Sequence, residues 1–331
     1  MNRQRVTPPA WAIVLAGGDG IRLQGLTSKI DGDARPKQFS RIFGEQSLLG
    51  HTRERLRPIF TDDRLMFVVT KTHDKFYTDE LAYVDRSRIV EQPANRGTGV
   101  AIMAALLQLL EYETDAIVGI FPSDHYYADN AAFVATVESA IDVCNEHDES
   151  IVLIGAKPEW PEVEFGWIEP AGSITNRGGT PLFGVSRFYE KPPLERARSL
   201  MSKGGLWNTF ITIGRAGAFL KLLSATVLPV LTRMVEAVAY SDLDSAYSEI
   251  ETIDFSKQVL SVEPRDLLVI PDATSGWADV GNEARLIDTL NRHDIEPDWL
   301  RELRRSNLPD RFEAPVHRQT ADAVMRATAA A

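Results

Sequence analysis

Residues 10–23 read Ala10-Trp11-Ala12-Ile13-Val14-Leu15-Ala16-Gly17-Gly18-Asp19-Gly20-Ile21-Arg22-Leu23. A short apolar run without helical period, broken by a glycine cluster, is a buried strand feeding a loop. Glycines at that place let backbone N–H groups approach a phosphate with no Cβ in the way. Gly17-Gly18 serves equally as a tight turn needing positive φ. Arg22 tilts the reading toward an anion, because a guanidinium just past the glycines forks onto phosphate oxygens that the loop holds. A dinucleotide fingerprint starting at Gly18 needs glycine where Leu23 stands, and a Walker loop needs a Gly-Lys-Ser/Thr ending that is absent. Arg3 and Arg5 before the apolar run imitate a secretory signal, but the run is short and passes straight into glycine.

Working outward, Ile13–Ala16, Leu65–Thr70, Arg88–Val90, Ala116–Phe121 and Ile151–Gly155 have strand texture. Leu48–Phe60, Asp74–Val84, Thr98–Tyr112 and Ala131–Asn145 have helical period. Alternation of this kind predicts an α/β fold, a doubly wound, mostly parallel Rossmann-like sheet, with ligands at the carboxyl ends of its strands. The loops after Ala16, Val90 and Phe121 are therefore where chemistry is expected. Beyond 155 the texture is mixed: strands at Phe165–Ile168, Leu182–Glu190 and Leu206–Gly214, and helices near 194–203, 215–240 and 242–260. The expected organisation is an N-terminal extension (1–10), a domain at 11–290 divided into halves (11–155 and 156–290) on one continuous sheet, and a helical tail (291–331).

Composition narrows the partners. The 331 residues carry 36 Lys+Arg against 47 Asp+Glu, a net charge of −11, which argues against nucleic acid and acidic membranes but not against a small phosphate ligand. One cysteine, Cys144, permits no internal disulfide and suits a reducing cytoplasm, with a filler role in its helix. No apolar stretch is expected to span a bilayer, the longest being Gly99–Leu110.

Arg35-Pro36-Lys37-Gln38-Phe39 follows the glycine loop, and the combination resembles the G-x-G-x-R-L, spacer, P-K signature of sugar-1-phosphate nucleotidylyltransferases. The Lys-Gln-Phe ending is most similar to the mannose-1-phosphate guanylyltransferase branch. Two departures are Gly25, where the family usually has proline, and a longer spacer at Ser28–Arg35. The likeness continues through Glu91-Gln92-Pro93-Ala94-Asn95-Arg96-Gly97-Thr98-Gly99, Phe121-Pro122-Ser123-Asp124-His125, Phe165-Gly166-Trp167-Ile168, Phe188-Tyr189-Glu190-Lys191-Pro192, Trp207-Asn208-Thr209, Ile253-Asp254-Phe255-Ser256-Lys257 and Trp277-Ala278-Asp279-Val280-Gly281-Asn282.

The resemblance implies Arg22 and Lys37 as catalytic cations. It implies Leu15, Ala16, Gly17, Gly18, Gly20, Gln92, Asn95, Gly97 and Thr98 as nucleotide contacts, with Asn95 equally fit to cap a helix. Gly166, Glu190, Lys191 and Asn208 would hold the sugar phosphate, although Glu190-Lys191-Pro192 alone is also an ordinary exposed turn. Phe210, where the family often has glycine, would narrow the sugar pocket or shift its strand. Asp124 and Asp279 would ligate Mg²⁺, with His125 orienting Asp124 or packing. The implied substrates are an NTP (GTP favoured) and a hexose-1-phosphate (mannose-1-phosphate favoured), giving a nucleotide sugar such as GDP-mannose plus pyrophosphate. Glucose-1-phosphate with dTTP, UTP or ATP, and a silent nucleotide-sugar sensor, stay open, and a homodimer is admissible. No further domain is expected in the stretch after 291.

Overall fold

The computed structural model describes residues 8–305. The strands are β1 (Ala10–Leu15), β2 (Leu65–Thr70), β3 (Ile89–Gln92), β4 (Ile117–Pro122), β5 (His125–Tyr126), β6 (Ile151–Ala156), β7 (Gly166–Ser173), β8 (Phe183–Glu190), β9 (Leu206–Arg215), β10 (Leu267–Asp272) and β11 (Ala278–Asp279). The helices are α1 (Gln24–Asp31), α2 (Leu48–Leu56), α3 (Asp74–Tyr77), α4 (Gly97–Leu110), α5 (Asn130–Glu146), α6 (Leu194–Ser202), α7 (Ala216–Ala239), α8 (Leu243–Glu249), α9 (Glu283–Arg292) and α10 (Asp298–Arg305). Ala10, expected in the extension, already pairs with Ile117.

Among the described residues one nine-stranded sheet runs in the order β3-β2-β1-β4-β9-β6-β10-β8-β7. β1 to β4 are mutually parallel, as are β6 and β10, while β9 is antiparallel between β4 and β6. This is the doubly wound α/β arrangement expected. One face is buried beneath α4 and α7, through Val100, Ile102, Phe219, Leu223 and Met234. The other is covered by α2 and α5, through Leu56, Phe133, Val137 and Cys144. Burial pushes the Cys144 thiol up to about 12, which fits a filler rather than a reactive group.

Several local expectations are corrected. β10 was not anticipated, no element having been expected at 267–272 within the mixed half, yet it fills the place between β6 and β8. The expected helix 242–260 is broken: α8 ends at Glu249, and Ser256–Leu260 forms a π-helical turn. Residues 250–254 run past the start of α4 instead, where Ile253 N donates to Arg96 O (3.0 Å) and Gly99 N to Ile253 O (2.8 Å). Gly97 permits this contact: its φ is +82°, and a Cβ there would stand 2.4 Å from Ile253 O. The expected helices 48–60 and 74–84 are shorter, ending at Leu56 and Tyr77. Part of the long spacer completes α1, which Gly32 terminates in the left-handed conformation. The membrane expectation also needs amending, because α7, with 24 residues, is long and apolar enough to cross a bilayer by length and composition. In the fold it kinks at Val227, beside Pro229, and buries one side against the sheet. Within the expected tail, α10 seats Trp299 and Leu300 against Leu23, Ile42 and Val280, and residues 306–331 lie outside the described part.

Candidate active site

The glycine loop is held from behind. Gln38 Nε2 donates to the carbonyls of Ala16 (2.8 Å) and Gly18 (2.7 Å), Thr70 Oγ1 to Gly17 O (2.9 Å) and Ser123 Oγ to Leu15 O (2.6 Å). A loop whose carbonyls are bonded inward presents its N–H groups outward, as an anion cradle requires. Gly20 has φ +59°, and a Cβ on it would meet Lys37 N at 2.7 Å, so this glycine admits the Lys37 segment. Gln92, expected against the nucleotide, is buried under Gly17 and accepts from Tyr247 Oη (3.2 Å), which makes it a support for the loop. Arg96 rather than Asn95 occupies the cap position of α4, while Asn95 Oδ1 accepts from Gly97 N (3.0 Å) and its Nδ2 reaches Asp19 (3.1 Å). Thr98 Oγ1 accepts from Phe255 N (3.0 Å), which draws Asp254 and Ser256 to the same cleft.

The two aspartates are brought together by a two-stranded ribbon in which β5 and β11 pair antiparallel, His125 opposite Asp279. Lys37, only 5% exposed, sets its ammonium 3.1 Å from Asp124 Oδ2 and 3.8 Å from Asp279 Oδ1, and donates to Val280 O (3.3 Å). Burial opposes the Asp124 charge, but the Lys37 ammonium prevails and holds its carboxyl below the usual range. Trp277 Nε1 donates to His125 Nδ1 (3.1 Å), leaving His125 Nε2 to face Asp124 Oδ1 at 3.7 Å. Burial also lowers the His125 pKa, so a neutral imidazole fixes the carboxylate.

Oxygen donors on a half-buried floor suit a hard dication. Among the described residues no group of three or more His, Cys, Asp or Glu could hold an ion unaided. Asp124 and Asp279 therefore fit an ion whose remaining ligands are water and phosphate oxygens.

The opposite wall follows from strand register. β7 and β8 pair Gly166 with Glu190, and β7 and β9 pair Trp167 with Trp207, which places Asn208 beside them. A Cβ on Gly166 would lie 2.8 Å from Glu190 Oε2. Lys191 (φ +49°) and Phe210 (φ +68°) are both left-handed, each costing about 1–3 kcal/mol. Phe210 thus keeps a backbone conformation that glycine adopts freely while its ring lines the cleft; Asn208 Oδ1 accepts its N–H (3.1 Å). Burial, with Asp254 nearby, pushes Glu190 up to about 7. A carboxyl raised on folding keeps its proton where the unfolded chain has lost it, so stability falls as pH rises from 4.5 to about 7. Glu190→Gln removes that titration. The gap between the variant and the parent chain is expected to grow in the variant's favour by up to about 3 kcal/mol from pH 5 to pH 8. Urea unfolding at both pH values checks this, and an unchanged gap contradicts it.

These elements enclose a cleft of about 330 Å³ lined by Leu15, Gly18, Arg22, Thr98, Asp124, Gly166, Glu190, Lys191, Asn208 and Asp279. It adjoins a second space of about 420 Å³ between Gly20, Arg22, Lys37, Asp124 and Asp279. Ala16, Gly17, Gln92, Asn95 and Gly97 do not line either space. Sequence reading missed Arg285, whose guanidinium meets Glu164 (2.9 Å), Glu162 (3.1 Å) and Asp279 (3.3 Å). Its signal was its place on the first turn of α9, just after the Asp279 segment, where Asn282 caps the helix by accepting from Arg285 N.

Residues 11–294 match the family model described as nucleotidyl transferase. The mannose-1-phosphate guanylyltransferase of Escherichia coli is 28% identical over 283 residues, covering 83% of this chain and 58% of that protein. The xanthan biosynthesis protein XanB of Xanthomonas campestris pv. campestris (strain B100) is 29% identical over 286 residues, with 83% and 58% covered. The chain thus spans less than two thirds of the length of these relatives. Among solved structures, one described as mannose-1-phosphate geranyltransferase from Thermus thermophilus is 25% identical with a TM-score of 0.72, covering 85% of this chain and 79% of that one. UDP-glucose pyrophosphorylase complexed with UDP-glucose shares the fold at 14% identity and a TM-score of 0.54, with 86% and 98% covered.

Proposed function

The chain belongs to the nucleotidyl transferase family, and on that premise we propose that it moves a nucleoside monophosphate, GMP before others, from an NTP onto mannose-1-phosphate. The observation that carries this reading is the buried Lys37 ammonium between Asp124 and Asp279, on the floor of a cleft whose far wall is Glu190, Lys191 and Asn208. A phosphate oxygen of the sugar phosphate attacks the α-phosphorus in line. The new P–O bond forms as the bond to the β-phosphate breaks, and pyrophosphate leaves with that electron pair. The attacking oxygen is already ionised at neutral pH, so no base is required, in keeping with a neutral His125 that only orients Asp124.

Catalysis on this reading is positioning and charge neutralisation. The outward N–H groups of Gly18–Gly20 and the Arg22 guanidinium take the leaving pyrophosphate. Lys37 and Lys191 address the reacting phosphates, and Glu190 and Asn208 accept from and donate to the hexose hydroxyls. Asp124 and Asp279 would hold Mg²⁺, which when bound offsets phosphate charge. The cytoplasm is the expected compartment, and a homodimer the assembly to test.

Pyrophosphate release from GTP, ATP, UTP and dTTP, each with mannose-1-phosphate and with glucose-1-phosphate, tests the reading. The GTP and mannose-1-phosphate pair is expected to be fastest. Another faster pair keeps the reaction and replaces the substrates; release from no pair removes the enzyme reading and favours a nucleotide-sugar sensor.

A further inference from the structure

We propose that Glu164 is a positioning residue that sets the affinity for the nucleotide's phosphates by holding Arg22 away from them; the inference rests on the pyrophosphate role given to Arg22 above. The 162–165 turn is fixed from below. Buried Glu162 accepts through Oε1 from the N–H groups of Val163 (2.8 Å) and Glu164 (2.9 Å), and through Oε2 from Trp160 Nε1 (3.0 Å). Its Oε2 also pairs with Arg285 (3.1 Å). With its backbone tied, Glu164 reaches over the cleft, where its Oε2 is shared between Arg285 (2.9 Å) and Arg22 (3.3 Å).

The charge balance makes this contact consequential. In the connected network three cations (Arg22, Lys37 and Arg285) face four carboxylates (Asp124, Glu162, Glu164 and Asp279), so a polyanion meets a floor without surplus positive charge. Arg285 is largely buried and occupied by three carboxylates. Arg22 is the exposed member: its side chain is 61% exposed and that of Glu164 48%, and such a pair is weak enough for a phosphate to displace. Glu164 is thus an internal competitor for the same guanidinium, and each binding event includes its exchange.

Titration calorimetry of inorganic pyrophosphate with Mg²⁺ on the full chain, beside steady-state kinetics, tests the inference. Glu164→Gln is expected to tighten pyrophosphate binding and lower the KM for NTP by about 3- to 10-fold, with kcat changed less than about twofold. The gain is expected to vanish in the Arg22→Ala background. Unchanged or weaker binding in Glu164→Gln overturns the inference, as does an equal gain without Arg22, which assigns the effect to bulk charge. Arg22→Ala alone separates the two readings. If it binds pyrophosphate normally, the role given to Arg22 fails; if it binds weakly while Glu164→Gln is silent, only the competition fails.

Discussion

Lys37→Ala is expected to lower kcat for nucleotidyl transfer by at least about 100-fold, the scale of losing one preorganised donor from a site that stabilises transition-state charge. The ammonium is buried, and a backbone acceptor and two carboxylates fix its position, so it costs no reorganisation when charge builds on the transferring phosphoryl group. Alanine cannot reach that point, and water admitted in its place is not held. The variant also leaves Asp124 and Asp279 facing one another without their shared cation. Since both carboxylates keep some solvent contact, the expected stability cost is about 2 kcal/mol, below the range for fully buried pairs. Stopped-time pyrophosphate assays on protein whose unfolding midpoint has been measured separate the two effects. Near-normal kcat in a folded Lys37→Ala chain takes Lys37 out of the machinery.

What the sequence made legible divides along physical lines. β1 and its glycine loop were readable because a buried apolar run is broken there by glycines, whereas Lys37, Asp124 and Asp279 were singled out by the family resemblance, and the structure places the three side by side. The bracing of the loop by Gln92 was not foreseen, because a polar residue after a strand looks the same whether it faces a ligand or braces a loop. Only the neighbouring Tyr247, contributed by α8, distinguishes the two. The helix expected through 242–260 failed because the segment satisfies its backbone on Arg96, Thr98 and Gly99, partners distant in sequence. Arg285, Glu162 and Glu164 were overlooked for a similar reason: charged residues near turns and helix starts normally face solvent, and only the folded cleft turns these three toward one another. Phe210 was recognised as unusual, and the structure shows both outcomes: it is a left-handed residue lining the cleft, and it sits where the β6–β9 register shifts between Leu153–Thr212 and Gly155–Asn208.

Asp124→Asn is expected to lower kcat by at least about 100-fold as well, yet with a different stability signature. The amide keeps the shape of the carboxylate but carries no charge, so a dication meets one anionic ligand where there were two. Raising Mg²⁺ is expected to recover part of the loss, because a weakened ligand set is compensated by mass action, whereas Lys37→Ala gains nothing from added metal. The Lys37 ammonium retains Asp279 and Val280 O, so the fold is expected to lose less than it does in Lys37→Ala. Combining Lys37→Met with Asp124→Asn removes one charge of each sign and refills the stem's volume. That double variant is expected to regain stability over Lys37→Ala while remaining inactive, since sites in contact couple and their effects do not add. Melting curves and Mg²⁺ titrations of kcat for the three variants check the pattern. If Asp124→Asn keeps parent kcat at low Mg²⁺, the metal role of Asp124 is wrong even should that of Lys37 stand. If the double variant is no more stable than Lys37→Ala, the electrostatic account of the floor is wrong even should both residues prove essential.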